Sequence, residues 1–386
     1  MNCLLECCLK LFHLRANPLH RNAHIWVGSI ALCCLVSMGA APASAAQLPR
    51  KKPASARQQQ EAKPAAAKPA PKPAATTAPK RTPLISPTRS LTKQATANRA
   101  RAVAADADTA VPRYKVDAAG DLVPDVRAAA AIIYDPSNGH VLWEENSQTP
   151  RSIASITKVM TATVFVEDNL DLTQPVTIQR SDVFQASTTF LRANDKVTTD
   201  DLLHLLLIAS DNAAARALAR VSPQGSAGFI DRMNAKAEEL GLESTHYADP
   251  SGLLADNVSS AYDMARLIAH ASADPKISGI MQLPEYTVHA ARREITFRST
   301  DHLLGHEGMD VLAAKTGFIS KAGYCLATLL RLPQTGQQVA LVVLGARSNA
   351  GRFMETQNLF AWLSSHASTV FATATVAESP LAAKQQ

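Results

Sequence analysis

From about Tyr114 to Ala367 the apolar positions recur with the periods of packed elements. Ala128–Tyr134 (AAAAIIY) predicts a buried strand. Asp135-Pro136-Ser137-Asn138-Gly139 then turns the chain into a second strand over His140–Glu144. A helix is predicted from about Ser155 to Glu167. Two more, Asp200–Ile208 and Asn212–Ala219, are interrupted at Ala209-Ser210-Asp211. Ala227–Leu240 is amphipathic and stopped by Gly241, and Ser260–Ala271 sets Met264, Leu267 and Ile268 at helical spacing. Tyr324–Arg331 and Gln338–Leu344 read as a hairpin through Pro333-Gln334-Thr335-Gly336, and Arg352–Ser364 as a closing helix. Strands at both ends of a helical middle predict an α+β domain, its antiparallel sheet joining the two ends against a helical cluster. No internal repeat stands out.

The N-terminal third lacks this patterning. Residues 1–46 read as a secretory signal peptide: Lys10, Arg15 and Arg21 lead, Trp26–Met38 is apolar and uncharged, and Ala43-Ser44-Ala45 supplies a cleavage pattern. That run is shorter than the roughly 20 residues of a membrane span, so no transmembrane segment is expected in the mature chain. Retention as an anchor is the alternative. Residues 47–112, with repeats such as KPAAAKPAPKPAA, offer few large side chains to bury and predict a disordered linker. The folded domain is expected over 113–367, with a flexible tail over 368–386.

Charge and cysteine content sharpen the picture. The 47–112 stretch holds 13 Lys or Arg against Glu61, Asp106 and Asp108, although the whole chain carries only +6. The basic character therefore belongs to the linker, a soluble spacer or a tether to anionic envelope polymers, and the folded part is mildly acidic. Without a basic patch interleaved with aromatics, nucleic-acid binding is not expected. Cys3, Cys7, Cys8, Cys33 and Cys34 fall in the signal, which leaves Cys325 alone in an apolar run, a small core hydrophobe. His302 and His306 lie four apart, but Glu307 does not follow the first of them as the metalloprotease motif requires. No metal and no cofactor are expected.

Three short motifs carry chemistry, in the order Ser155-Ile156-Thr157-Lys158, Ser210-Asp211-Asn212 and Lys315-Thr316-Gly317. A serine hydroxyl needs a neighbour to take its proton, and a lysine three residues later on a helix lies one turn away on the same face. A burying pocket disfavours that lysine's charged form and lets it act as a base. Ser210 and Asn212 at a helix–helix turn can wall a cleft, although such a tripeptide also suits a helix cap. Lys315 and Thr316 on an edge strand can hold a carboxylate or carbonyl. Ser90-Leu91-Thr92-Lys93 repeats the first pattern inside the predicted linker and is treated as a decoy.

This set is similar to the serine D-alanyl-D-alanine peptidases, the low-molecular-mass penicillin-binding proteins of the peptidase S11 type. It resembles class A β-lactamases more distantly. The likeness runs from about 114 to 365 and includes Pro150–Ser155, Met233–Ala237, Asp249-Pro250-Ser251-Gly252-Leu253 and Ala322-Gly323-Tyr324. It implies a β-lactamase/DD-peptidase-like fold and an exported, periplasmic, envelope-associated enzyme. Peptidoglycan peptides would be its substrate and β-lactams its acylating inhibitors. Ser155 would be the acylated nucleophile and Lys158 its base, with Ser210 and Asn212 assisting. Lys315, Thr316, Gly317 and Phe318 would bind substrate, the N–H groups of Ser155 and Phe318 forming the oxyanion hole. The β-lactamase Glu-x-x-Leu-Asn loop is missing, its nearest counterpart being Glu239–Glu243 at a helix end. The 69 residues after Gly317 leave little room for an appended domain, and Phe318 stands where carboxypeptidases often carry His. Both features favour the endopeptidase branch over carboxypeptidase. A β-lactamase and a silent penicillin-binding scaffold are the remaining readings.

Overall fold

In the computed structural model, residues 111–376 are described apart from residue 292, with side chains through Phe371. The predicted signal, nearly all of the linker, the decoy motif and the last ten residues lie outside that range. The main sheet has five strands in the order β11-β12-β13-β3-β4, every neighbouring pair antiparallel. These are β3 (Ala130–Tyr134), β4 (Val141–Glu145), β11 (Asp310–Ile319), β12 (Gly323–Arg331) and β13 (Gln338–Ala346). The two predicted hairpins are present, and β3 against β13 joins the ends of the domain as the sequence suggested.

Successive strand residues face opposite ways, which sorts the sheet into two buried faces. Ala130, Ile132, Val342, Leu344, Cys325 and Ala327 enter one core with the helical cluster. Ala131, Ile133, Leu341, Val343, Leu326 and Leu330 enter a second core beneath the last helix. Burial on both faces explains why these strands read as continuous apolar runs rather than alternating ones. Cys325 is a buried free thiol, its pKa pushed up by burial, as expected of a core residue.

The helical side comprises α1 (Thr157–Glu167), α2 (Arg180–Val183), α3 (Thr199–Leu207), α4 (Asn212–Val221), α5 (Gly225–Glu239), α6 (Ala261–Ser272) and α7 (Pro275–Met281). Local chemistry sets their starts. Thr198 and Asp201 form a reciprocal capping box for α3, and Ser260 caps α6 through the Asp263 N–H. Short ribbons complete the fold: β1 (Tyr114–Val116) with β2 (Leu122–Pro124), β5 (Arg151–Ser152) with β8 (Val258–Ser259), β6 (Pro175–Thr177) with β7 (Lys196–Thr198), and β9 (Glu285–Ala290) with β10 (Arg293–Arg298).

The closing helix differs from expectation. α8 runs Asn349–Val376, beyond the boundary drawn at 367. Its Phe353, Leu359, Phe360 and Leu363 cover the sheet, and Val370 and Phe371 continue that packing, so apolar contact sustains the extra turns. Among the described residues no helix is long and apolar enough to cross a membrane.

Candidate active site

The chain turns sharply before α1. Ala154 has φ +49°, and Ala154–Ile156 make a single 3-10 turn ahead of the helix. The first N–H groups of a helical segment have no partner within it, which leaves the Ser155 N–H available at the positive end of the helix dipole. Ser155 itself is half-buried.

Lys158, one turn further, is fully buried. Its Nζ lies 2.9 Å from Ser155 Oγ, 2.6 Å from Asn212 Oδ1 and 2.5 Å from the Ser251 carbonyl oxygen. The Asn212 amide is oriented from its other end, where Nδ2 donates to the Ala186 carbonyl at 2.6 Å. Two of the three partners of Nζ can only accept, and the third is a hydroxyl that can do either. A neutral amine, with two N–H groups and one lone pair, matches that set. It donates to Asn212 and Ser251 and accepts the Ser155 O–H. Electrostatics point the same way: burial lowers the Lys158 pKa to about 7, opposed by Asp249 and Asp211 and aided by Arg216.

The second motif divides its labour. Asp211 caps α4, its Oδ1 accepting the Ala214 N–H at 2.9 Å while Oδ2 accepts the Phe190 N–H at 2.6 Å. Its neighbours on either side turn into the cleft. Ser210 is held at φ +59°, a left-handed conformation that costs a non-glycine residue about 1 kcal/mol or more. There its Oγ accepts from Lys315 Nζ at 2.8 Å.

The third motif lies on β11, an edge of the main sheet. Lys315 is buried and also donates to the Thr316 carbonyl at 2.9 Å. Burial, then the nearness of Lys158 and of the Arg352 guanidinium, holds its pKa well below the usual lysine range against the pull of Asp301. Thr316 Oγ1 donates to Thr300 Oγ1 at 2.7 Å. The Phe318 ring is 49% exposed and stacks on Tyr324 with centroids 4.3 Å apart.

All eight residues picked from the sequence converge. Ser155, Ser210, Asn212, Thr316, Gly317 and Phe318 line one cleft of about 420 Å³, and Lys158 and Lys315 lie bonded to its floor. The geometry also recruits groups the sequence did not flag. Arg352 reaches in from α8, where its Nη1 donates to the carbonyls of Gly317 at 3.0 Å and Cys325 at 3.1 Å. Thr300 and Leu253 complete the walls, together with Ser187 and Thr188. The loop bearing the last two is tied down by Arg293, whose Nη2 donates to the Phe190 carbonyl at 2.6 Å and to Asp195 Oδ2 at 2.7 Å. The signal for Leu253 and Ser251 was the Asp249–Leu253 segment. For Arg352 no pattern was visible, since a buried arginine looks like any other in a helix.

The discarded readings find other places. His302 stacks on Phe353 at 4.7 Å and His306 Nδ1 contacts the Glu307 carbonyl at 3.0 Å. Among the described residues no group of His, Cys, Asp and Glu could hold a metal ion. Glu239 pairs with Arg232 at 2.7 Å on the surface of α5, and among the described residues no carboxylate lines the cleft.

Comparison with known proteins fits this geometry. A D-alanyl-D-alanine endopeptidase of Pseudomonas aeruginosa is 35% identical over 246 residues, covering 63% of this chain and 79% of that one. The Escherichia coli endopeptidase is 32% identical, covering 62% and 78%. The E. coli D-alanyl-D-alanine carboxypeptidase DacC is also 32% identical, covering 62% of each chain. Among solved structures, the Streptomyces K15 DD-transpeptidase superposes with a TM-score of 0.58 at 28% identity, covering 64% of this chain and 98% of that one. A cefotaxime-bound penicillin-binding protein D2 of Listeria monocytogenes gives 0.54 at 30%, covering 61% and 97%. Residues 117–348 match the peptidase S11 family, described as D-alanyl-D-alanine carboxypeptidase, and the chain belongs to that family of serine peptidases.

Proposed function

We propose that the protein is a serine D-alanyl-D-alanine endopeptidase that hydrolyses peptide cross-links of peptidoglycan through an acyl-enzyme on Ser155. The observation that carries this reading is the Lys158 amine, buried beside Ser155 Oγ with two fixed acceptors that leave its lone pair for the hydroxyl proton. Lys158 takes that proton as Ser155 Oγ bonds to the D-alanyl carbonyl carbon. The developing oxyanion sits between the N–H groups of Ser155 and Phe318. Collapse breaks the C–N bond, and the proton that Lys158 took passes by way of Ser210, hydrogen-bonded to Lys315, to the departing amine, leaving Lys158 neutral. Water then attacks the ester carbonyl carbon as Lys158 takes one of its protons, the C–Oγ bond breaks, and that proton returns to Ser155 Oγ. Thr316 and Arg352 supply donors and positive charge where the leaving residue's carboxylate would lie.

Support for the endopeptidase comes from the relatives named for that activity and from Phe318. Thr316 and Phe318 share a strand face, so the exposed ring forms an apolar shelf beside Thr316, suited to the long aliphatic chain of a diaminopimelyl leaving residue. The leader and cleavage pattern in residues 1–46 support export to the periplasm, where such cross-links lie. Purified protein should release monomers from cross-linked muropeptide dimers, measured by chromatography. Removal of D-alanine from pentapeptide monomers alone would make it a carboxypeptidase instead.

Among the described residues the cleft lining holds no carboxylate to activate water against a penicilloyl ester as the Glu of a class A β-lactamase does, and this argues against rapid β-lactam turnover. A fluorescent penicillin adduct is therefore expected to persist after excess reagent is removed. Its loss within seconds would contradict this.

A further inference from the structure

The shortest contact of the Lys158 amine is to a backbone carbonyl, that of Ser251 at 2.5 Å. Residues 249–257 form neither helix nor strand, so other forces must hold that carbonyl in place. One carboxylate dominates them. Asp249 Oδ2 accepts the Ser251 N–H at 3.0 Å and the Ser251 hydroxyl, and Oδ1 accepts the N–H groups of Gly252 at 3.1 Å and Leu254 at 3.2 Å. The Asn257 side-chain amide donates to Oδ1 as well. Asn257 is buried, and its backbone carbonyl accepts the Ile153 N–H at 3.1 Å, tying the loop to the turn that presents Ser155. From α1, Thr161 Oγ1 donates to the Pro250 carbonyl at 2.6 Å. Gly252, at φ +79°, lies so close to that turn that a Cβ would come within 2.1 Å of the Ala154 carbonyl oxygen.

We propose that Asp249 is a positioning residue, which gathers this loop so that the Ser251 carbonyl is held on Lys158 Nζ and the base is aimed at Ser155, with the carboxylate's own charge set near that amine. The inference rests on Lys158 being the base. Five donors gathered on one carboxylate are far more than a turn of this size needs, and the group they organise touches the reacting lysine. Other charges face the same amine. Asp211 at the start of α4 also favours its protonated form, Arg216 on α4 disfavours it, and Lys315 approaches from β11. Asp249 has the larger influence of the two carboxylates.

The test is the rate of acylation by a fluorescent penicillin from pH 5 to 10, with thermal melting as a check on folding. In the full-length parent the rate rises through the pH at which Lys158 loses its proton. Asp249→Asn removes the charge, so protonated Lys158 becomes less favourable and the rising limb moves to lower pH by about half a unit or more. The plateau falls about tenfold as the loop loses acceptors and the amine its fixed partner. Asp249→Glu keeps the charge, so its limb stays at the parental pH while its plateau falls. A lower plateau with an unmoved limb in Asp249→Asn would reduce Asp249 to a structural role and overturn the proposal. Should the Asn variant not fold, Asp249→Gln and Asp249→Glu form a neutral and charged pair of equal length, and coincident limbs in that pair would overturn it equally. If a Lys158→Ala variant were acylated at the parental rate, the reading of the base would fail instead, a result separate from any limb position.

Discussion

Lys158→Ala is expected to slow acylation of Ser155 by a fluorescent penicillin by about a thousandfold, while the protein stays folded. A positioned general base contributes roughly two to four powers of ten, and among the described residues Lys158 is the amine bonded to the proposed nucleophile. The residual rate would come from the donors around the oxyanion and from binding. The deletion also strips a donor from Asn212 Oδ1 and the buried Ser251 carbonyl, at a cost of about 1–3 kcal/mol. Melting therefore has to accompany the kinetics. The parent supplies the companion result. Burial places the Lys158 pKa at about 7, and only the neutral amine has a lone pair to offer. Below that pH the proton occupies the lone pair and the rate falls about tenfold per unit, and above it the rate levels off. A parental rate in the alanine variant, or a parent profile flat from pH 5 to 9, would remove Lys158 from the mechanism.

Much of this site could be read from the sequence because its chemistry sits in side chains at fixed local spacing. Ser155 and Lys158 lie one helical turn apart, and no tertiary information is needed to place them together. Lys315, Thr316 and Gly317 fell on an edge strand because the hairpin after them was recognisable from two apolar runs and a Pro/Gly turn. Ser210 and Asn212 were the more ambiguous pair, since both the cap and the cleft reading apply to the tripeptide: Asp211 caps the helix and its neighbours face the cleft.

What escaped has no letter of its own or depends on distant packing. The Ser251 carbonyl is backbone, and any residue would have supplied one. Arg352 is 35 residues beyond Gly317, and only the packing of α8 on the sheet carries it into the cleft. The left-handed turn at Ala154 is invisible because alanine gives no hint of φ > 0. The β9–β10 hairpin went unread for a related reason. Its strands mix charged and apolar residues, and neither residue 291 nor 292 is the Gly, Asn or Asp that marks a two-residue turn. Yet this hairpin carries Arg293, which fixes the loop over the cleft.

Gly317→Ala should be the second most damaging change, although it adds only one methyl group. A Cβ at this position would lie 2.8 Å from the Ile153 carbonyl oxygen, 3.1 Å from the Ser155 nitrogen and 3.3 Å from the Ala154 Cβ, all in the turn that presents the nucleophile. None of these can swing aside as a flexible side chain would. The turn is braced from behind by Gly252, and β11 is held by its ladder to β12, with Gly317 opposite Cys325, and by Arg352 on the Gly317 carbonyl. The methyl must therefore wedge strand and turn apart by several tenths of an ångström. That gap separates the two N–H groups, of Ser155 and Phe318, on which the oxyanion would be shared. Losing one such donor costs about a hundredfold or more in rate, and the strain of overpacking costs about 1–3 kcal/mol of stability. Acylation by penicillin should fall about a hundredfold across the whole pH range, with the rising limb near pH 7 unmoved because the environment of Lys158 is intact. That combination separates damage to the oxyanion site from damage to the base. If Gly317→Ala were acylated at the parental rate, the gap between β11 and the Ser155 turn would not be where the oxyanion forms.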